Sequence, residues 1–77
     1  MKLYLKRLRN AIPVSVSKSK DGPYHVIGGV YLARIATPAQ ICNLNRVVDN
    51  ERDNPVEEVE VSEDVWDMIR KANGIPT

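Results

Sequence analysis

Reactive side chains are scarce in this chain of 77 residues, which has one cysteine, Cys42, and one histidine, His25. A lone cysteine closes no internal disulfide, so the cross-linked miniprotein class is excluded. One Cys and one His also fall short of the three or four ligands that zinc takes. No metal and no cofactor is expected. The stretch after the second helical pattern holds Asp49, Glu51 and Asp53 at alternate positions, the spacing of a calcium loop. It lacks the glycine such a loop needs at its sixth position, and Glu60, the twelfth residue, falls in an expected strand. A solvated loop running to Pro55 is the better account.

Catalytic signatures are equally thin. No Gly-x-Gly-x-x-Gly or P-loop sequence occurs, and Gly28-Gly29 lies inside a strand pattern, where it reads as a bulge or a close backbone approach. A nucleophilic pair of Cys42 and His25 needs a fold that joins them and an oxyanion site, and no feature of the sequence signals either. Cys42, beside Ile41, reads as a small buried thiol. His25 reads as a half-exposed strand residue flanking a turn. The chain is expected not to be an enzyme.

Long apolar runs are also missing. The longest, Val26 to Ala33, has eight residues, against about 20 for a helix that crosses a bilayer. Lys6-Arg7 interrupts the N-terminal segment before a signal-peptide core can form. These absences, with the single cysteine, point to a cytoplasmic setting and no membrane partner.

What is present is ordinary globular composition: 43% hydrophobic and 27% charged residues, a balance that argues against disorder. Residues 1–77 are read as a single α+β domain. A chain this short buries only about 60–65% of the surface its unfolded form exposes, so a partner or a second copy matters to it.

Helices are expected at two places. Val65, Met68, Ile69 and Ala72 recur at i, i+3, i+4, i+7, with Ser62 as N-cap, Glu63 and Asp64 in the first turn, and Arg70 and Lys71 in the last. Asn73-Gly74 supplies a left-handed stop. Thr37-Pro38-Ala39-Gln40 forms a capping box that opens a second helix, with Ile41, Leu44, Val47 and Val48 on its apolar side.

The remainder reads as strands. Val14 to Ser17 alternates with period two, Tyr24 to Ile35 is rich in Val, Ile and Tyr, and the turn between them is Lys18 to Pro23. Val56 to Val61 alternates again, with Val59 and Val61 opposite Glu58 and Glu60. At the N-terminus a strand puts Met1, Leu3 and Leu5 inward and Lys2, Tyr4 and Lys6 outward. A helix would instead align Met1, Leu5, Leu8 and Ile12; the clean alternation and the missing N-cap favour the strand. The expected fold is a mixed sheet of about four strands, in the order β-β-β-α-β-α, with two helices packed on it. The Ile35–Val56 path would be a helical crossover between parallel strands.

Charge is divided along the chain. Residues 1–36 carry seven basic side chains and one acidic, whereas residues 37–77 carry four basic and nine acidic. Such polarity either orients partners or pairs internally. On the acidic side, Trp66 with Glu58, Glu60, Glu63 and Asp67 forms a candidate protein-binding set, the indole serving as a core-edge residue or an interface anchor. On the basic side, Lys2, Lys6, Arg7, Arg9, Lys18 and Lys20 track a phosphate backbone in the alternative, with Tyr4 or Tyr24 stacking on bases. The leading expectation is a small non-enzymatic protein-binding module: an adaptor, an inhibitor or a regulatory subunit, of the size that mobile elements encode. A nucleic-acid-binding protein is the runner-up. A homodimer that buries Met1–Arg9 as an edge strand is the third.

Overall fold

The computed structural model describes residues 1–7, 14–44 and 56–76. Alternation of Leu3 and Leu5 with Lys2, Tyr4 and Lys6 builds the first strand, β1 (Lys2–Lys6). Both leucines are fully buried. Strands β2 (Ser15–Ser17), β3 (His25–Val26) and β4 (Val56–Glu60) complete a sheet in the order β3-β2-β1-β4, every neighbouring pair antiparallel.

This α+β architecture departs from the expected one in three ways. First, the sheet is antiparallel throughout, not mixed. Because β3 and β4 lie at opposite edges, the chain between them carries the polypeptide across the sheet and makes no parallel crossover. Second, β1 is central. It pairs with β2 through Leu5↔Val16 and with β4 through Leu3↔Val59, so it is no edge strand for a second copy to extend. Third, there are three helices: α1 (Gly29–Ile35), α2 (Pro38–Leu44) and α3 (Glu63–Asn73).

Helix α1 replaces most of the long strand expected over Tyr24 to Ile35. Gly28 is its N-cap, in extended conformation, so the glycine pair ends β3 and starts a helix where a bulge was expected. One helical face supplies the reason: Leu32 is buried and Tyr31 and Ile35 pack against the core, a gain that overrides the β preference of Val30, Tyr31 and Ile35. Val30, on the other side, is 70% exposed. Helix α2 opens with the expected reciprocal bonds. The Thr37 amide donates to Gln40 Oε1 at 2.9 Å and the Gln40 amide to Thr37 Oγ1 at 3.2 Å. Its expected extension through Val47 and Val48, and the loop from Asp49 to Pro55, lie outside the described residues.

Helix α3 follows its sequence signals closely. Ser62 Oγ accepts from the Val65 amide at 3.2 Å, and Gly74 sits at φ 68 with its amide bonded to the Arg70 carbonyl. The buried face is rotated from the expected stripe. Trp66 and Ile69 are buried, Val65 and Met68 are partly covered, and Ala72 is exposed. One face of the sheet, through Leu3, Leu5, Val16 and Val59, shares a core with Leu32, Leu44, Trp66 and Ile69. Among the described residues no helix lies on the other face, where Ser17 is opposite Tyr4 and Ser15 opposite Lys6. Both serines are buried, and Ser15 Oγ donates to the Lys6 carbonyl at 2.6 Å.

Candidate functional site

The β2–β3 hairpin and the end of α3 enclose a hollow of about 280 Å³. Its apolar wall is Trp66 of α3, Ile75 just beyond the Gly74 stop, and Pro23 and Pro76. Trp66 and Ile75 are buried, whereas the two prolines are exposed, so the hollow has an apolar floor and a rim open to solvent. Hairpin residues Ser17, Lys18, Ser19 and His25 supply the polar side.

Local bonding sets that hairpin wall. The Ser19 amide donates to Ser17 Oγ at 3.0 Å, and the Gly22 amide to the Ser19 carbonyl at 3.0 Å. Gly22 holds φ 89, where a side chain is disfavoured and a Cβ would meet Tyr24 at 3.2 Å. The Gly22–Pro23 peptide is cis. His25 pairs with Val16 across the hairpin and falls on the sheet face turned towards the helices, half-buried. Lys18 is exposed and makes no ion pair among the described residues.

Trp66 is therefore a core-edge residue: 7% exposed, joined to the hydrophobic cluster, and part of the wall of a cavity. The acidic residues grouped with it in sequence lie elsewhere. Glu58 and Glu60 are on β4, two strands from β2, and alternate with the buried Val59 so that they face away from the helices. Glu58 pairs with Lys2 at 3.7 Å, Glu60 with the Met1 amino group at 3.1 Å, and Asp67 with Arg70 at 3.5 Å. Glu63 is exposed in the first turn of α3. Three of the four acidic candidates thus have internal partners, in pairs whose carboxylates are exposed and which contribute little each.

The basic candidates are also divided. Lys2 and Lys6 share the open face with Tyr4; Lys18 and Lys20 are in the hairpin turn; Arg7 follows β1; Arg9 lies outside the described residues. Lys6 Nζ lies 5.6 Å from the centroid of the Tyr24 ring, and the Tyr24 hydroxyl donates to the Lys20 carbonyl at 2.7 Å. Partial burial pushes the Tyr24 phenol above its ordinary value of 10.0, with smaller contributions from Asp21 and Tyr4. Tyr24 is therefore held by its own chain on one ring face and at its hydroxyl.

Cys42 is exposed on α2, against the expectation of burial, and is not among the residues that line the hollow beside His25. Among the described residues no group of three or more His, Cys, Asp or Glu could hold a metal ion, and no helix is long and apolar enough to cross a membrane. The acidic triplet Asp49, Glu51 and Asp53 lies outside the described residues. Sequence reasoning singled out Trp66 and Lys18 for different surfaces and missed that they line one hollow. Pro23, Ile75 and Pro76 carried no signal, because the hollow forms from segments at opposite ends of the chain.

Comparison of the chain with known protein families, with characterised proteins and with solved structures finds no match. The reading of function rests on the geometry.

Proposed function

We propose that the protein is a non-enzymatic protein-binding module, an adaptor, inhibitor or regulatory subunit, that docks its partner at the hollow beside Trp66. The supporting observation is the hollow itself, a cavity of about 280 Å³ with a buried indole in its wall and, at its rim, an exposed lysine that makes no ion pair among the described residues. Binding energy at protein interfaces concentrates where an anchor side chain fills a desolvated pocket of this kind. Small-molecule and cofactor sites run from about 300 to 1,000 Å³, so this hollow suits one side chain of a partner better than a cofactor. Charge acts through Lys18 and Lys20 on the hairpin, which orient an acidic partner surface. The proposal carries a cytoplasmic setting, where the exposed Cys42 thiol stays reduced.

The runner-up, nucleic-acid binding, draws support from Lys2, Tyr4 and Lys6 on one open face. It is weaker, because Lys2 is paired with Glu58 and Lys6 lies over Tyr24. Affinity capture from a lysate, with and without nuclease, separates the two. The expected result is a protein retained after nuclease treatment and lost with Lys18→Glu, whose fold is checked by circular dichroism. Retention that disappears on nuclease treatment would favour the runner-up. Trp66→Ala is unsuited to this test, since it removes a core residue.

A further inference from the structure

We infer that the hollow receives the C-terminal residue of a partner chain, an aromatic residue whose ring lies against Trp66 and whose carboxylate sits at Lys18 and His25. This inference rests on the protein-binding reading and names the occupant. Size comes first. A cavity of about 150 Å³ already holds benzene, so about 280 Å³ admits one aromatic side chain with its own backbone termini and little else.

Charge comes next. Among the described residues, Lys18 and His25 are the two ionisable ones that line the hollow, and no Asp or Glu lines it. Both can carry positive charge, and Lys18 has no competing ion pair among the described residues. The complement of that wall is an anion, and a carboxylate bonded to a charged donor is among the stronger polar contacts available. The apolar lining, Trp66, Pro23, Ile75 and Pro76, is the complement of a flat apolar ring. An internal Asp or Glu would supply the charge and leave the apolar lining unmatched; an internal Phe or Tyr would supply the ring and leave Lys18 unmatched. A chain-terminal aromatic residue puts both groups on one Cα, which a hollow of about 280 Å³ has room for.

Trp66 is the sole tryptophan of the chain, so its fluorescence reports occupancy in the intact protein. The probes are N-acetylphenylalanine, N-acetylphenylalaninamide, and a hexapeptide ending in phenylalanine, prepared with a free and with an amidated C-terminus. The expected result is a saturable change in Trp66 emission with the free acids, in the millimolar range for the single residue. The amides should bind about tenfold more weakly, and the hexapeptide acid more tightly than the single residue. Lys18→Gln should reduce the preference for acid over amide to what His25 alone supplies, while the apolar contribution remains. Equal binding of acid and amide, or no change in emission with any probe, overturns the inference. Binding of N-acetylphenylalanine without binding of the hexapeptide acid also overturns it, and assigns the hollow to a free aromatic acid. If no probe binds while nuclease-resistant capture still depends on Lys18, this inference falls and the protein-binding reading stands. If the probes bind and no protein is captured, both fall.

Discussion

Asn73, the last residue of α3, accepts a hydrogen bond at Oδ1 from the amide of Gly28, the N-cap of α1, at 3.2 Å. Its other amide atom, Nδ2, donates to the Ile69 carbonyl one turn back at 2.8 Å. One side chain thus satisfies a donor at the start of one helix and an acceptor near the end of another, and both bonds are partly buried. Removing it leaves the Gly28 amide unmatched and takes from the Ile69 carbonyl a second donor beyond the helical ladder, both in partly buried positions. Asn73→Ala is expected to destabilise the domain by about 1–3 kcal/mol. Asn73→Asp keeps the acceptor but sets a carboxylate oxygen against the Ile69 carbonyl at the negative end of the helix, and should cost no less. Urea denaturation with an unchanged m-value checks both, and a neutral Asn73→Ala would show that the two helix ends are not tied here.

Two glycines should respond in opposite directions to the same substitution. Gly74 stops α3 at φ 68, a conformation in which a Cβ is strained although nothing crowds it within 4 Å. Gly74→Ala should therefore cost about 1 kcal/mol. Gly29 is the first residue of α1, has no unusual φ, and a Cβ there would also meet nothing within 4 Å. Gly29→Ala is expected to stabilise by about 0.4–1 kcal/mol, because it restricts the unfolded chain and favours helix. Thermal melts of the two variants give the signs, and a loss at Gly29 would contradict a helix that starts there.

Helix α1 also marks where the sequence stopped being legible. The strand β1, the capping box at Thr37 and Gln40, and the cap and stop of α3 are local devices, written within a few residues of one another, and each is found where its residues put it. Over Gly29–Ile35 the local signals conflict. Val30, Tyr31 and Ile35 favour strand, while the spacing of Leu32 with Tyr31 and Ile35 has value only once a core exists to receive that face. Strand order was likewise hidden, because the partners of Leu3 and Leu5, namely Val59 and Val16, are fixed by long-range packing. The hollow is the extreme case. Lys18 and Trp66 come to line one hollow only once the hairpin has joined the sheet and α3 has packed on it.

Burial separates two apolar substitutions that the sequence alone would rank alike. Leu3 and Leu5 of the central strand are fully buried between β2 and β4. Truncation of either to Ala should cost about 2–5 kcal/mol, enough to unfold a domain of this size outright. Val30 is 70% exposed on α1, and Val30→Ala should change stability by no more than about 0.5 kcal/mol. Equilibrium denaturation of the three variants checks the contrast. A large loss at Val30 would mean that a second surface covers it in solution, and dilution would then lower the melting temperature of the parent protein.

Tyr24 gives the fold a dependence on alkaline pH whose sign can be worked out. Desolvation, then the nearby Asp21 carboxylate and Tyr4, raise the folded-state pKa of its phenol above 10.0. The folded protein therefore holds this proton more tightly than the unfolded chain does. As pH rises past the unfolded value the unfolded state loses its proton first, so the equilibrium shifts towards unfolding. The stabilising contribution is complete below about pH 9, where the phenol is neutral in both states. It declines above pH 10 and is gone once the folded-state phenol has also ionised. Tyr24→Phe removes the ionisation, at the cost of the hydroxyl's bond to the Lys20 carbonyl. The variant should be somewhat less stable at neutral pH yet lose less stability between about pH 9 and 12 than the parent. Denaturation midpoints across that range, with absorbance titration of the phenolates, test the claim. Parallel curves for the two proteins would show that Tyr24 ionises as freely folded as unfolded.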